Sequence, residues 1–453
     1  MSKTENRGTQ RAVFGSRFAA IAATVGSAVG LGNIWRFPYE AGAHGGGAFV
    51  LCYLIFAFLI GVPVLIAEFV MGRGTRSNVL GAYRKLDPHH PWYWAGYMGI
   101  VGSMLILGFY TVVAGWTLEY CIESLFGMLD FSTESAGHDQ FVKLTHGWRP
   151  VIWTVVFALC NFVILLRGVS KGIERLSNIM MPVLFVILLV FCVHSFFLPG
   201  FEEGCSFLFK PDFSKLTPST LLGALGQAFF SLSLGLGCMI TYASYFTEKT
   251  RLAQTAVTTM ILDSAVAILS GIIIFPAVFS FGLSPSAGPT LVFEVLPNIF
   301  YRMAGGGIWS TLFFLLLFIA SLTSTISLSE ISISFFTEEK KLGRKRSTAL
   351  SCGITLIISL LCALSMGPWQ NLTLFGKNLF DLLDYVASNI IMPLGGMICS
   401  IFVGWCIERR FISDQLTDNG RNRFIWLRPL VFCLRWICPA AIFIIFLDSI
   451  GAI

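Results

Sequence analysis

Long runs of apolar residues recur from one end of this chain to the other, and that recurrence constrains the fold more than any other feature. A helix needs about 20 apolar residues to cross roughly 30 Å of hydrocarbon. Lipid offers no partner for backbone amides, so only helices and closed barrels can span it. Runs of sufficient length are predicted at 16–37, 47–72, 92–125, 150–167, 174–199, 219–246, 253–282, 309–338, 344–366, 378–408 and 424–450. Composition agrees: of 453 residues, 55% are hydrophobic and 12% charged, with a mean hydropathy of +0.76. The chain therefore reads as an all-α polytopic membrane protein with eleven transmembrane helices. Between the seventh and eighth runs, 284–307 is too broken by Gly and Pro to cross, and reads as an external loop with short helices, suited to a lid.

The net charge of +6 does not indicate a nucleic-acid partner, because the basic residues are sorted by side. With the N-terminus cytoplasmic, 23 of the 31 Lys and Arg fall on inner segments, seven lie on or near the outer face, and Arg435 stays within the last run. That is the positive-inside bias of a multi-pass protein of the cell's inner (plasma) membrane, surrounded by lipid. An odd number of spans places Ile453 outside. No cleavable signal is expected ahead of the first run, whose polar leader lacks a short apolar core. The twelve Cys lie almost all in apolar runs without CxxC or Cys/His ligand spacing, and read as small core residues. A disulfide from Cys205 to another outer Cys is the less favoured reading.

The first run is a poor helix where lipid demands a good one. It contains Gly26, Gly30 and Gly32, followed by Asn33, and the sixth run is interrupted in the same way by Gly235 and Gly237 after Ser231 and Ser233. Matching breaks five runs apart define two repeats, 16–199 and 219–408. They have opposite orientation because five is odd, and 424–450 is an additional helix. Unpaired backbone groups are costly in lipid but act as ligands where they line a cavity. Half-helix N-termini suit a carboxylate, and unwound carbonyls suit a cation. The alternative is that these glycines are packing points between helices; their pairing beside polar residues favours the cavity.

Four segments, GSAVGLGNIWRFPYEAGAHGGGAF, GVPVLIAEFVMGRG, GFYTVVAGW and GQAFFSLSLGLGCMITYASY, occur in this order. They resemble the signature segments of the neurotransmitter:sodium symporter family, and the similarity runs through the first ten spans. The resemblance implies a 5+5 inverted-repeat transporter, not an enzyme, that couples substrate to two Na+ ions by alternating access. By the family pattern, one sodium is held by the Ala28 carbonyl, the Asn33 side chain, the Ser231 hydroxyl, Asp263 and the substrate carboxylate. The second is held by the carbonyls of Gly26, Val29 and Ala320 and the hydroxyls of Thr323 and Ser324. All are oxygen donors, as a hard cation requires. Residues 320, 323 and 324 share one helix face; the alternative is that Thr323 and Ser324 bond carbonyls of their own helix. Asp263 stands where the family usually has asparagine. A carboxylate inside the membrane is a functional signal. In chloride-dependent relatives an anion sits beside this sodium, and in some bacterial relatives a glutamate four residues later replaces it. That later position is Ala267 here, so Asp263 is expected to supply the fixed charge and transport to be chloride-independent.

The same resemblance places the ligand's carboxylate at the amides near Leu31 and Gly32 and at the Tyr110 hydroxyl. Monoamine carriers have an aspartate where this chain has Gly30. The side-chain wall would be Ile106, Phe230, Leu236, Ser327 and Leu328, with Ala28, Ser231, Ser233 and Ser324 completing the pocket. None is charged, so the expected ligand is a hydrophobic L-amino acid such as tryptophan or leucine. Some relatives have phenylalanine in place of Leu236, and the smaller residue is expected to admit aromatic side chains.

For the gates, the resemblance pairs Arg36 with Asp384 outside, capped by Phe230 and Tyr110. Inside it pairs Arg11 with Glu338 or Glu339, with Phe14 where relatives often have tryptophan and Tyr245 joining the network. Glu68 is expected to accept hydrogen bonds from the unwound sixth span, the alternative being a neutral core acid. Glu330 has no motif behind it and receives no role. Gly172 and Pro182 would let the inner end of span five unwind, the alternative being a fixed proline kink. An intramembrane enzyme is disfavoured, with no HExxH, GxGD-like acid pair or Ser/His constellation in the spans. The glycines 26–32 follow no strand and sit in apolar surroundings, so they give only a weak phosphate-loop signal. A channel lacks the midplane substrate site that this pattern implies, and a proton-coupled carrier is the nearest competing reading.

Overall fold

The computed structural model describes residues 13–129, 136–282, 292–303 and 305–452. Among them, helices dominate, and the only extended pairing is an isolated bridge between Leu374 and Lys377. Nine helices in the described residues are long and apolar enough to cross a membrane: Gly47–Thr75, Tyr93–Leu125, Arg149–Leu166, Val169–Ser195, Leu252–Ser280, Gly306–Glu338, Arg344–Met366, Leu379–Cys406 and Leu427–Ser449. Each falls on a run expected from the sequence, with ends shifted by a few residues. All twelve cysteines are free thiols.

The first and sixth runs are not single helices. Arg17–Ala28 and Gly32–Ala43 form a pair bent by 53°. The cause is Val29, whose extended backbone (φ −67°, ψ 116°) ends the first half. Counting this pair as one span gives ten, and the span reaches Ala43 rather than residue 37. The sixth run divides into Pro218–Ser231 and Cys238–Ala243, with a non-helical stretch between them. That stretch contains Ser233 (φ 53°), Gly235 (φ 88°) and Gly237 (φ 76°), all left-handed. The region 284–307 contains the short helix Val295–Arg302, and 283–291 lie outside the described residues.

The long helices Tyr93–Leu125 and Gly306–Glu338 pack along each other at the centre, buried over most of their length. Arg149–Leu166, Arg344–Met366 and Leu427–Ser449 lie at the rim and keep apolar residues such as Ile152, Leu159, Ile357 and Phe443 facing outward. Such a surface suits lipid. Val169–Ser195 is wound throughout, with a widened π-turn at Val169–Glu174 that contains Gly172, and Pro182 inside the α-helix that follows. The segment expected to unwind is thus helical here.

Gly235 shows why the sixth-span break tolerates no other residue. Its φ is strained for a side chain, and a Cβ would stand 2.2 Å from the Met392 carbonyl oxygen of the Leu379–Cys406 helix. Gly395 on that helix is equally tight against the Gly235 carbonyl. Gly235→Ala is expected to lower stability by about 1–3 kcal/mol, read as a fall in the detergent-solubilised unfolding midpoint. Gly353→Ala, inside a helix where an added methyl meets nothing within 4 Å, is the matched control and should not lower the midpoint.

Candidate functional site

The two chain breaks face each other and are tied by side chains. Ser233 Oγ donates to the Ser27 carbonyl at 3.2 Å, and Gln227 Nε2 donates to the Gly32 carbonyl at 2.9 Å. Buried Glu68 accepts from the Gly235 amide at 2.8 Å, as its position in the second span suggested. Ser233, Gly32, Gly235 and Glu68, all named from the sequence, thus meet at one region of unwound backbone.

Beside the breaks lies a buried polar cluster. Asn33 Nδ2 donates to Asp263 Oδ1 at 2.8 Å, to the Asp263 carbonyl at 3.0 Å and to Ser231 Oγ at 3.0 Å. Ser231 Oγ donates to Asp263 Oδ2 at 2.6 Å. Gly30 N donates to Asn33 Oδ1 at 3.2 Å. One carboxylate, one amide and one hydroxyl, from three spans, share a point shielded from solvent, where Asn33, Asp263 and Ser231 are at most 1% exposed. The donor set fits a monovalent hard cation: all oxygens and a single negative charge. Holding it through Asn33 Oδ1 requires the amide to turn by half a revolution, which exchanges two nearly isosteric atoms.

A second seam joins the first break to the Gly306–Glu338 helix. Ser324 Oγ donates to the Val29 carbonyl at 3.1 Å, and a Cβ on Gly26 would touch Thr323 Cβ at 3.5 Å. Thr323 Oγ1 itself donates to the Ala320 carbonyl at 3.1 Å within its own helix. Gly26, Val29, Ala320, Thr323 and Ser324 thus adjoin, with Ser324 crossing between helices and Thr323 turned inward on its own.

Between the two seams is a cavity of about 40 Å³ lined by Ser27, Ala28, Gly30, Gly32, Ile106, Tyr110, Phe230, Ser231, Ser233, Leu236, Ser324, Leu328 and Met392. Eleven of those thirteen were expected from the sequence, Ser27 and Met392 being the additions. Ser327 does not reach the cavity; its hydroxyl donates to the Ser324 carbonyl at 2.7 Å. The Leu31 amide donates to the Tyr110 hydroxyl at 3.0 Å. A Cβ at Gly30 would come within 2.6 Å of Ser324 Oγ and 2.8 Å of the Tyr110 hydroxyl, so any side chain there would intrude on the site.

An outer cavity of about 280 Å³ lies above, lined by Leu31, Trp35, Arg36, Phe109, Phe380 and Asp384 among others, and it shares Gly32, Tyr110 and Phe230 with the inner one. Phe230 is the partition, with the Arg36 guanidinium carbon 4.5 Å over its ring. Arg36 and Asp384 face the same cavity but form no ion pair: Arg36 pairs with Glu40 at 3.3 Å, and Asp384 accepts from Ser388 at 2.8 Å.

Of the residues expected to form the inner gate, Arg11 lies outside the described residues. Glu338 accepts from the Asn78 backbone and side-chain amides at 2.8 and 3.0 Å, and Glu339 pairs with Arg84 at 2.8 Å. Tyr245 donates to Glu330 at 2.7 Å, and Arg344 grips the same carboxylate with two contacts of 2.6 Å. Phe14 packs edge-on against Tyr242 and Tyr245, and its amide donates to the Tyr245 carbonyl.

Sequence reasoning left Glu330 without a role, and missed its partner Arg344. It also missed Tyr53, whose hydroxyl lies 3.4 Å from Asp263 Oδ2, and Gln227. Gln227 had a signal, standing one helical turn before Ser231 on the same face. Nothing in sequence spacing marks Arg344, because its distance from Glu330 spans a helix–helix corner.

A many-span helical protein with buried oxygen clusters at paired chain breaks, on either side of a closed apolar cavity, is a membrane transporter that works with ions. The chain belongs to the sodium:neurotransmitter symporter family, whose family profile matches residues 11–146 and 140–453. It is a sodium-dependent transporter. The crystal structure of MhsT in complex with L-phenylalanine superposes with a TM-score of 0.89 at 42% identity, covering 97% of this chain and 100% of that one. Two uncharacterized sodium-dependent transporters are similar over nearly their full lengths. YhdH of Bacillus subtilis (strain 168) is 36% identical, covering 96% of this chain and 97% of its own, and one from Haemophilus influenzae is 37% identical, covering 97% and 98%.

The Glu330–Arg344 pair has a direct consequence for stability. Glu330 is fully buried, so Glu330→Gln leaves Arg344 without its counter-charge and is expected to cost about 3 kcal/mol. Denaturation of the single and Arg344→Gln double variants measures it: the double variant should recover part of the loss. A loss from Glu330→Gln no larger than that from Glu408→Gln, an exposed control, would refute the assignment.

Proposed function

We propose that the protein takes up hydrophobic L-amino acids, aliphatic and aromatic, by sodium-coupled symport with alternating access, using two sodium sites and no chloride. The observation that carries this reading is the convergence of the Asn33–Ser231–Asp263 cluster and the Ser324–Val29 seam on one uncharged cavity at the paired breaks. Eleven spans, as two inverted five-span repeats plus a last helix, account for the layout, if the divided sixth run crosses as one. The basic residues favour a cytoplasmic N-terminus in the plasma membrane.

The mechanism follows from what each group does. The backbone at Leu31 and Gly32 and the Tyr110 hydroxyl supply hydrogen bonds for a carboxylate. Ile106, Leu236, Leu328 and Met392 receive the apolar side chain, where an ionic one would be desolvated without a partner. A cavity of 40 Å³ is far below the roughly 300 Å³ of pockets that take small ligands. Entry therefore requires Phe230 to swing away and merge it with the outer cavity, after which return of the ring closes the site. MhsT, a structural neighbour, was solved with L-phenylalanine, which supports an apolar amino acid here. Asp263 takes the fixed negative charge that lets sodium bind without an accompanying anion.

Uptake of labelled tryptophan and leucine into sealed vesicles, with sodium, potassium or a proton gradient imposed separately, tests the reading. Sodium alone should drive accumulation, and replacing chloride by gluconate should not change it. Accumulation under a proton gradient without sodium would instead support a proton-coupled carrier built on Asp263 and Glu68. Asp263→Asn is expected to make uptake depend on chloride, visible as the return of activity when gluconate is replaced by chloride. Leu236→Phe is expected to weaken tryptophan uptake about tenfold more than leucine uptake, since a lost pocket volume of this size is worth 1–3 kcal/mol. Equal losses for both substrates would count against the steric role of Leu236.

A further inference from the structure

Arg435 is the basic residue that the charge pattern leaves inside an apolar run, and no part of the transport site uses it. It stands in the Leu427–Ser449 helix, about 12 Å along the axis from the end near Arg421, Arg423 and Arg428, at 1.5 Å per residue. It lies in a widened turn, Cys433–Ile437, and the neighbouring Leu379–Cys406 helix carries a matching one at Phe402–Cys406. Gly404 lets the two turns meet: a Cβ there would be 3.0 Å from Arg435 Cγ and from its backbone nitrogen.

The contact is built from polar and aromatic groups together. Arg435 Nε donates to the Gly404 carbonyl, and Trp405 Nε1 donates to the Arg435 carbonyl at 3.2 Å. The guanidinium carbon lies 5.2 Å over the Trp405 ring, which meets Trp436 edge to face at 4.9 Å. The indoles face outward, 49% and 57% exposed, beside exposed Phe432 and Ile437. Arg435 itself is half-buried, and among the described residues no carboxylate forms an ion pair with it. Glu408, the nearest acid along the chain from Trp405, makes none with it.

A charge within the membrane is costly unless something pairs with it. The guanidinium fork matches a phosphate with two parallel hydrogen bonds. Tryptophan is the residue of the membrane–water boundary, and basic pockets between helices on the cytoplasmic side take anionic head groups. We propose that Arg435, with Trp405 and Trp436, forms a binding site for the phosphate of an anionic phospholipid of the cytoplasmic leaflet. Nε holds the protein's own Gly404 carbonyl, which leaves the two terminal nitrogens to bind the lipid phosphate. The indoles flank its glycerol and upper acyl chain.

The full chain in detergent, titrated with phosphatidylglycerol or phosphatidylcholine, is read by native mass spectrometry for retained lipid. The unaltered protein should retain one phosphatidylglycerol in preference to phosphatidylcholine. Arg435→Gln should cut that preference about fivefold, the size expected for one basic residue at an anionic surface. Arg435→Lys, which keeps the charge without the fork, should be intermediate. Trp436→Leu leaves Arg435 and its backbone contacts in place and should also weaken retention, so the proposal stays testable if the Arg435 variants misfold. Equal preference in the unaltered and Arg435→Gln proteins overturns it. So does an equal loss in Arg428→Gln, which would mark diffuse surface charge. Competition by inorganic phosphate as effective as phosphatidylglycerol would assign the site to a free anion. A dimer abolished by Arg435→Gln with lipid retention unchanged would assign the face to a second copy. Either result also overturns it.

Discussion

The structure turns on the cost of leaving peptide groups unpaired away from water. The other described spans meet that cost by continuous helix; at Val29 and between Ser231 and Cys238 the chain does not. The freed groups are met by side chains brought from other spans: Gln227 for the Gly32 carbonyl, Glu68 for the Gly235 amide, Ser324 for the Val29 carbonyl and Ser233 for the Ser27 carbonyl. Each of these bonds joins different spans, or opposite sides of a break, so the breaks are also where the bundle is fastened together. A cavity follows because two unwound stretches cannot pack as tightly as two helices.

Under the alternating access proposed above, closure on the outer and inner sides rests on different physics. Outside, a single aromatic ring separates the inner cavity from the outer one, held by a cation over its face and by the small surface of Gly32 beneath it. Such a partition moves by one rotamer. Inside, Tyr245, Glu330 and Arg344 form a charged network under packed aromatic rings that include Phe14. Opening that side separates a buried ion pair, a larger step. Arg36 and Asp384 both line the outer cavity and bond to other partners, Glu40 and Ser388.

Much of this was legible in the sequence, because membrane helices advertise themselves by length and apolarity alone. The breaks were visible as glycines beside Asn33 and Ser231, and the residues of the inner cavity could be named from segments that resemble a family. What stayed hidden depends on distances that one-dimensional spacing does not encode. Arg344 reaches Glu330 around a corner between helices, and Tyr53 approaches Asp263 from the second span. The Arg36–Asp384 pairing failed for a local reason: Glu40, one turn along the same helix, competes for the guanidinium. Helix five kept its turns because a π-turn absorbs Gly172 without breaking the ladder.

The hydrogen bond from the Leu31 amide to the Tyr110 hydroxyl carries a thermodynamic implication. The donor that would greet an incoming carboxylate already has an internal acceptor, so arrival trades one partner for another instead of satisfying an orphan. Exchange of this kind yields less net free energy than satisfying an orphaned donor would. Selectivity for the zwitterionic end would then come from geometry, while the strength of the grip would scale with how much greasy surface the guest hides.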